Sequence, residues 1–154
     1  MLFQNLNRYL ASLPSSKLDG RDVDMLRKAA QLAAKSDLRW KVGAVIYDSR
    51  IIFGQAFNVS KTHPFYHRWH KLTTHLHAEA GALIKALRHE AFYDHPYVRI
   101  AVARLDRTGK AAISYPCEHC FAMLQASKIN TFVCYDKHGE PVRLDLDPNY
   151  EYTT

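Results

Sequence analysis

The sequence predicts an α/β protein built on a mixed sheet, and three observations carry that reading. Helix-like and strand-like stretches follow one another in the order α-β-β-α-β-α-β-β. The first and last strand pairs are joined by short polar turns at 48–50 and 137–140, which makes them antiparallel hairpins. The third and fourth strands are joined through one helix, the connection that parallel neighbours need. A mixed sheet with helices on its faces accounts for all three.

Each element follows from its residues. Residues 22–36 (DVDMLRKAAQLAAKS) read as an amphipathic helix, with Val23, Leu26, Ala30 and Ala33 near one face and Gly20 and Asp22 as the entry signal. Residues 42–47 (VGAVIY) and 51–57 (IIFGQAF) are rich in β-branched and aromatic side chains, as paired strands are. The stretch 58–74 has no clean period and reads as a long loop with a helical turn around 66–69; loops of this length in compact domains are as a rule functional or disordered. Residues 77–90 form a second helix with Ala80, Ile84 and Leu87 inward, and 97–103 a third strand. After a turn at 106–109, residues 117–127 form a third helix behind Pro116 and 129–135 a fourth strand, while 142–146 alternates like an edge strand.

At 154 residues the chain is expected to form one domain over 1–154, with its core at about 22–146 and a loose tail at 147–154. The 47% hydrophobic and 23% charged composition is that of a soluble globular protein. No apolar run approaches the roughly 20 residues of a bilayer-spanning helix. The opening residues 1–5 (MLFQN) have neither a basic n-region nor a long apolar one, so no secretory signal is expected. Three cysteines make a poor disulfide framework. If Cys117 and Cys120 hold metal, Cys134 in the apolar run 129–135 reads as a small buried hydrophobe, and a reducing, cytoplasmic setting follows. The net charge of +6 favours anionic partners (nucleotides, nucleic acid or phosphate groups) unless it is only a solvated positive face.

The chemistry is carried by His77-Ala78-Glu79 and, some forty residues later, Pro116-Cys117-Glu118-His119-Cys120. A catalytic zinc takes three nitrogen or thiolate ligands and leaves a fourth position to water, and His77, Cys117 and Cys120 supply that set for one ion. Cysteines three apart across a helix start can turn both sulfurs to one point, where the helix N-terminus favours thiolate. Glu79 follows His77 too closely to be a natural fourth ligand, yet stands where it can take a proton from the water that zinc makes nucleophilic. Water attack at the amino-bearing carbon of a cytosine or adenine ring is then hydrolytic deamination. The alternative is a closed, structural zinc site with His119 or another residue as fourth ligand, which has no use for Glu79. Lying between the cysteines, His119 should point away from a metal that both sulfurs face.

These motifs, with the strand residues Gly43-Ala44-Val45-Ile46 and with Asn58 at the end of the second strand, resemble the cytidine and deoxycytidylate deaminase superfamily over about 43–135. The resemblance implies a three-layer fold, a five-stranded mixed sheet with helices on both faces. It implies one Zn2+ on His77, Cys117 and Cys120, with Glu79 as the catalytic proton shuttle. It also implies that the Ala78 backbone N–H contacts the base carbonyl and that Asn58 contacts the sugar, the alternative for Asn58 being a turn residue that closes a strand. Members of the superfamily assemble as homo-oligomers, often completing sites across subunits.

The substrate is less sharply marked. Histidine rather than cysteine in the first motif resembles deoxycytidylate, transfer-RNA adenosine and polynucleotide cytidine deaminases more than free cytidine deaminases. Tyr115 resembles the aromatic residue that deoxycytidylate deaminases often carry before the Pro-Cys motif; it reads as an aromatic wall beside the base or as a core tyrosine. The stretch between Asn58 and His77 is similar in placement to an insertion of the deoxycytidylate enzymes. Its Lys61, His63, Tyr66, His67, Arg68, Trp69, His70, Lys71 and His75 could grip a 5′-phosphate and cover a base, track single-stranded nucleic acid, or, through the four histidines, hold a second metal. One feature departs from the deoxycytidylate pattern: a short turn before the last strand is more like free cytidine deaminases, since the nucleic-acid-acting branch places a helix there. The leading expectation is deamination of a cytosine nucleotide or nucleoside, deoxycytidylate (dCMP) preferred. A polynucleotide deaminase acting on single-stranded DNA or RNA is the alternative, and a zinc-stabilised binding module without catalysis the second.

Overall fold

The computed structural model describes residues 2–147, with side chains from residue 6 onward; the expected tail lies outside the described residues from 148 on. In chain order the elements are α1 (Leu2–Ser12), β1 (Ser15–Ser16), α2 (Gly20–Ala33), β2 (Lys41–Tyr47), β3 (Ile52–Phe57), α3 (Pro64–His67), α4 (Ala78–Leu87), a 3-10 turn (Glu90–Asp94), β4 (Arg99–Leu105), β5 (Ala111–Ala112), α5 (Glu118–Ala126), β6 (Thr131–Tyr135) and β7 (Pro141–Asp145). The strands make one sheet in the order β1-β7-β6-β4-β2-β3, with β5 pairing β4. Among the described residues only the β4–β6 pair is parallel; the β2–β3 and β6–β7 hairpins are antiparallel. Five of these strands are those read from the sequence, and the other two are two-residue pairings too short to leave a period.

Alternation along the strands builds two layers. Ala44 and Ile46 of β2, Ile100 and Val102 of β4 and Phe132 and Cys134 of β6 belong to one buried cluster, together with Leu83 and Ala86 of α4 and Phe121 and Leu124 of α5. The intervening Val45, Tyr47, Ala101, Ala103 and Val133 face the opposite way, against Met25, Leu26, Ala29 and Leu32 of α2. Helices therefore cover both faces. Two glycines let them approach closely. A Cβ at Gly43 would stand 2.0 Å from the Ala29 carbonyl oxygen of α2, and one at Gly54 would stand 2.2 Å from the Ala82 carbonyl oxygen of α4. Gly54 thus sets how closely α4 lies on the sheet, and with it the depth of the residues at its start.

Several sequence boundaries and faces are corrected. Helix α2 begins at Gly20, because Asp19 caps it in a reciprocal box with Asp22. Its buried side is Met25, Leu26, Ala29, Leu32 and Ala33, while Val23 is exposed. In α4 Ala80 is fully buried as expected, together with Ala78, Ala82, Leu83 and Ala86, whereas Ile84 and Leu87 are only half-buried. The core also reaches further toward the N-terminus than 22: Leu6 and Leu10 of α1 are fully buried in the cluster that holds Phe121. Their four-residue spacing was the available signal. Cys134 is buried as expected, and burial pushes its thiol up to about 12. Among the described residues no helix is long and apolar enough to cross a membrane.

Candidate active site

Two helix starts converge to form the site. His77 is the N-cap of α4 and Cys117 the N-cap of α5, both in extended conformation, so their side chains lean off the helix ends. His77 makes no capping hydrogen bond; its ring is turned to the sulfurs instead. Its Nδ1 lies 3.6 Å from Cys117 Sγ and 3.5 Å from Cys120 Sγ. A tetrahedral zinc with bonds of about 2.1 Å to nitrogen and 2.3 Å to sulfur holds such atoms about 3.6 Å apart. The donor set and its spacing fit zinc, and His77, Cys117 and Cys120 could hold one ion.

The electrostatics suit that role. A hydrogen bond with Cys120 brings the Cys117 thiol down to about 3, against the effect of burial and with help from His77. Burial pushes the Cys120 thiol up, and one negative charge is therefore readily held between the two sulfurs. Burial also pushes the Glu79 carboxyl above its ordinary range, although His77 pulls the other way. Glu79 is the second residue of α4 and is 5% exposed.

Beside these groups opens a cleft of about 360 Å³. Its lining includes His77, Ala78, Glu79 and Cys117, together with Asn58 and Tyr115 and with Arg39, Trp40, Arg104 and His75. All the site residues read from the sequence are thus brought together. Ala78 is the first residue of α4, where a helix leaves N–H groups without intrahelical partners. Asn58 is more constrained than a free sugar ligand: its Oδ1 accepts from the Val42 N–H at 3.0 Å and its Nδ2 donates to the Trp40 carbonyl. It both closes the strand and fixes the segment 40–42 along the cleft. Tyr115 is half-buried and faces the cleft, and burial raises its hydroxyl.

The stretch 59–76 departs most from expectation. A Val59–Leu76 bridge closes it, and α3 lies within it at 64–67, with His63 Nδ1 accepting from the Phe65 N–H. Tyr66 is fully buried and so is not offered to a base, while Phe65 and Trp69 are half-buried with one side packed against the core. The Tyr66 hydroxyl lies 3.2 Å from Cys120 Sγ, a contact the sequence reading missed. Burial pushes that hydroxyl well above the ordinary tyrosine range, so it keeps its proton beside the sulfur. His70 stacks on His119 at 3.9 Å, and His119 Nδ1 donates to the Trp69 carbonyl at 2.9 Å. His119 is therefore turned away from the sulfurs. Among the described residues His77, Cys117 and Cys120 are the one metal-capable cluster of three or more, so the four histidines of this stretch do not gather into the second site that they could have formed.

Residues 19–136 match the family described as the cytidine and deoxycytidylate deaminase zinc-binding region. In structure the chain is similar to the dCMP deaminase of the cyanophage S-TIM5, at 20% identity and a TM-score of 0.52 over 75% of this chain and 82% of that one. It is also similar to the cytidine deaminase of Burkholderia pseudomallei, at 18% identity and a TM-score of 0.57 over 83% of this chain and 93% of that one. Both likenesses concern the fold. No curated protein matches the sequence. The family match runs from α2 through β6 and takes in both motifs of the site, and the chain accordingly belongs to the cytidine and deoxycytidylate deaminases, a family of zinc-dependent hydrolytic deaminases.

Proposed function

We propose that the protein removes the 4-amino group of cytosine carried on a nucleoside or nucleotide, with dCMP the preferred substrate. The observation that carries this is one buried carboxylate, Glu79, placed beside a zinc-spaced His77-Cys117-Cys120 set, with Glu79, His77 and Cys117 all in the lining of one cleft. A cleft of about 360 Å³ is in the range of small-ligand sites. Zinc, when bound, supplies the Lewis acidity that makes a water nucleophilic near neutral pH. Glu79 accepts the proton of that water as oxygen bonds to C4, and delivers it to N3 of the ring. The remaining hydroxyl proton then passes by way of Glu79 to the amino group as the C4–N bond breaks. Water and cytosine become uracil and ammonia, with protons and electrons balanced. The first N–H of α4, at Ala78, is available to the base carbonyl, and Tyr115 to a face of the base.

The antiparallel β6–β7 hairpin supports a small-molecule substrate, since the nucleic-acid-acting branch that the motifs resemble carries a helix at that point. A screen of dCMP, deoxycytidine, CMP, cytidine, adenosine, guanine and a single-stranded oligonucleotide, with zinc measured on the same sample, tests the reading. Turnover of the cytosine monomers is expected. Zinc-loaded protein that deaminates only a purine or only the oligonucleotide would overturn it.

A further inference from the structure

Arg104 stands at an unusual place. It pairs with Val42 on a central strand and shares the parity of Ile100 and Val102, the face that the helix layer covers. An arginine at such a position needs a reason, because a buried cation without a partner is costly. Here the helix layer stops short, and Arg104 lines the cleft instead of the core. Its guanidinium lies 4.6 Å from the centre of the Trp40 ring, and that of Arg39 lies 5.3 Å from the same ring. Among the described residues neither arginine has a carboxylate within ion-pair distance, although the chain carries 15 acidic residues. Trp40 is half-exposed, and Asn58 pins the backbone on either side of Lys41. The result is two cations held on one indole ring in the wall of the cleft that contains Glu79.

We propose that Arg39, Trp40 and Arg104 form the seat for the 5′-phosphate of a nucleoside monophosphate whose base reaches Glu79. Guanidinium is the side chain best shaped for a phosphate, offering paired N–H donors. Stacking on Trp40 holds the two guanidiniums in place before a ligand arrives, which reduces the ordering cost of binding. A monomer is favoured over a polynucleotide by what the cleft lacks. Strand-tracking proteins offer successive aromatic faces, whereas Tyr66 is buried, Phe65 and Trp69 pack on the core, and Trp40, outside that stretch, already stacks with two guanidiniums. The seat lies in a different segment from 59–76, where the interleaved basic residues had suggested it.

The assignment deepens the cytosine-nucleotide reading and rests on it for the identity of the base, so the test separates the two. The zinc-loaded wild type, Arg39→Gln, Arg104→Gln, Arg104→Lys and the double glutamine variant are assayed for kcat/KM on dCMP, deoxycytidine and a single-stranded oligonucleotide. Binding of dAMP, deoxyadenosine and inorganic phosphate is measured in parallel. The dCMP-to-deoxycytidine ratio is expected to fall roughly tenfold to a hundredfold in the double variant, with partial recovery in Arg104→Lys. An unchanged ratio, or equal losses on both substrates, would overturn the seat. So would an oligonucleotide turned over better than dCMP and losing rate in parallel with it. If no cytosine compound is deaminated, the base assignment fails and the phosphate seat is judged by binding alone. It then stands if dAMP binds more tightly than deoxyadenosine, inorganic phosphate competes, and the double variant erases the difference; it falls if the two bind alike.

Discussion

Two carboxylates are buried in the first turns of two helices on opposite faces of one sheet, and their surroundings differ completely. Asp22 of α2 has no exposed surface and accepts hydrogen bonds from the Tyr47 hydroxyl at 2.7 Å, Arg99 Nη1 at 2.6 Å, Arg143 Nη1 at 3.2 Å and the Asp19 N–H at 3.0 Å. Glu79 of α4 is almost as deep, yet among the described residues no lysine or arginine lies within ion-pair distance. The groups that act on it are His77, Cys117 and Cys120. A buried carboxylate satisfied on every side holds a structure together, whereas one left among metal-ligating groups is available for proton transfer.

Substitution at each should therefore fail in opposite ways. Glu79→Gln keeps the shape and removes the proton carrier. Its kcat should fall roughly 10²- to 10⁴-fold, with zinc content and melting temperature held. Assays on dCMP, metal analysis and a melting curve on one preparation check this, and near-normal turnover would remove Glu79 from the chemistry. Asp22→Ala should do the reverse. Arg99 and Arg143 lose their most buried partner, at a cost of about 3–5 kcal/mol in unfolding free energy. The folded fraction should still bind zinc and turn over substrate. Denaturant unfolding measures the first effect and activity per bound zinc the second.

The same contrast explains what could be read in the sequence. His77, Glu79, Cys117 and Cys120 were legible because their chemistry is local: each pair falls within one helical turn, and spacing alone puts the side chains together. The strands were legible because alternating core positions impose a period of two. Tyr66 was not, since the sulfur it meets lies 54 residues away and its own segment mixes aromatic and polar residues without a period. Arg104 was hidden for a related reason. It looks like a strand end, and only the limit of the helix layer turns it toward the cleft. The capping role of Asp19 passed unnoticed because Asp22, three residues on, carries an equally good signal.

Tyr66 sharpens the comparison on the Glu79 side. Its hydroxyl shares a hydrogen bond with Cys120 Sγ from a fully buried position, which orients the sulfur. Tyr66→Phe removes that hydrogen bond and little volume. Zinc affinity should weaken roughly tenfold to a hundredfold, as is usual when a residue supporting a ligand is lost. Competition with a chelator measures it, and an unchanged affinity would make Tyr66 a packing residue only. The corresponding loss on the Asp22 side, Tyr47→Phe, should leave zinc affinity untouched.

The smallest expected effect separates the two sides by acid. Burial raises the Asp19 carboxyl, but the Asp22 N–H and Arg99 outweigh it and hold the group below its ordinary 3.8. Asp48 is held low in the same direction, burial being outweighed by the Ile51 and Arg50 N–H groups and by His95. A carboxyl whose folded pKa is depressed gives stability that is fully present above its unfolded pKa and is lost as pH falls through the folded one. From these groups the melting temperature should therefore be level between pH 7 and about 5 and decline below about 4. Asp19→Asn should flatten that decline in part, because the group is half-exposed and contributes little alone. Melting curves at pH 7, 5, 4 and 3 decide the matter. A variant whose curve matched the wild type at every pH would instead show that Asp19 serves α2 as an uncharged cap, a role asparagine keeps, leaving Asp22 to hold the two arginines without it.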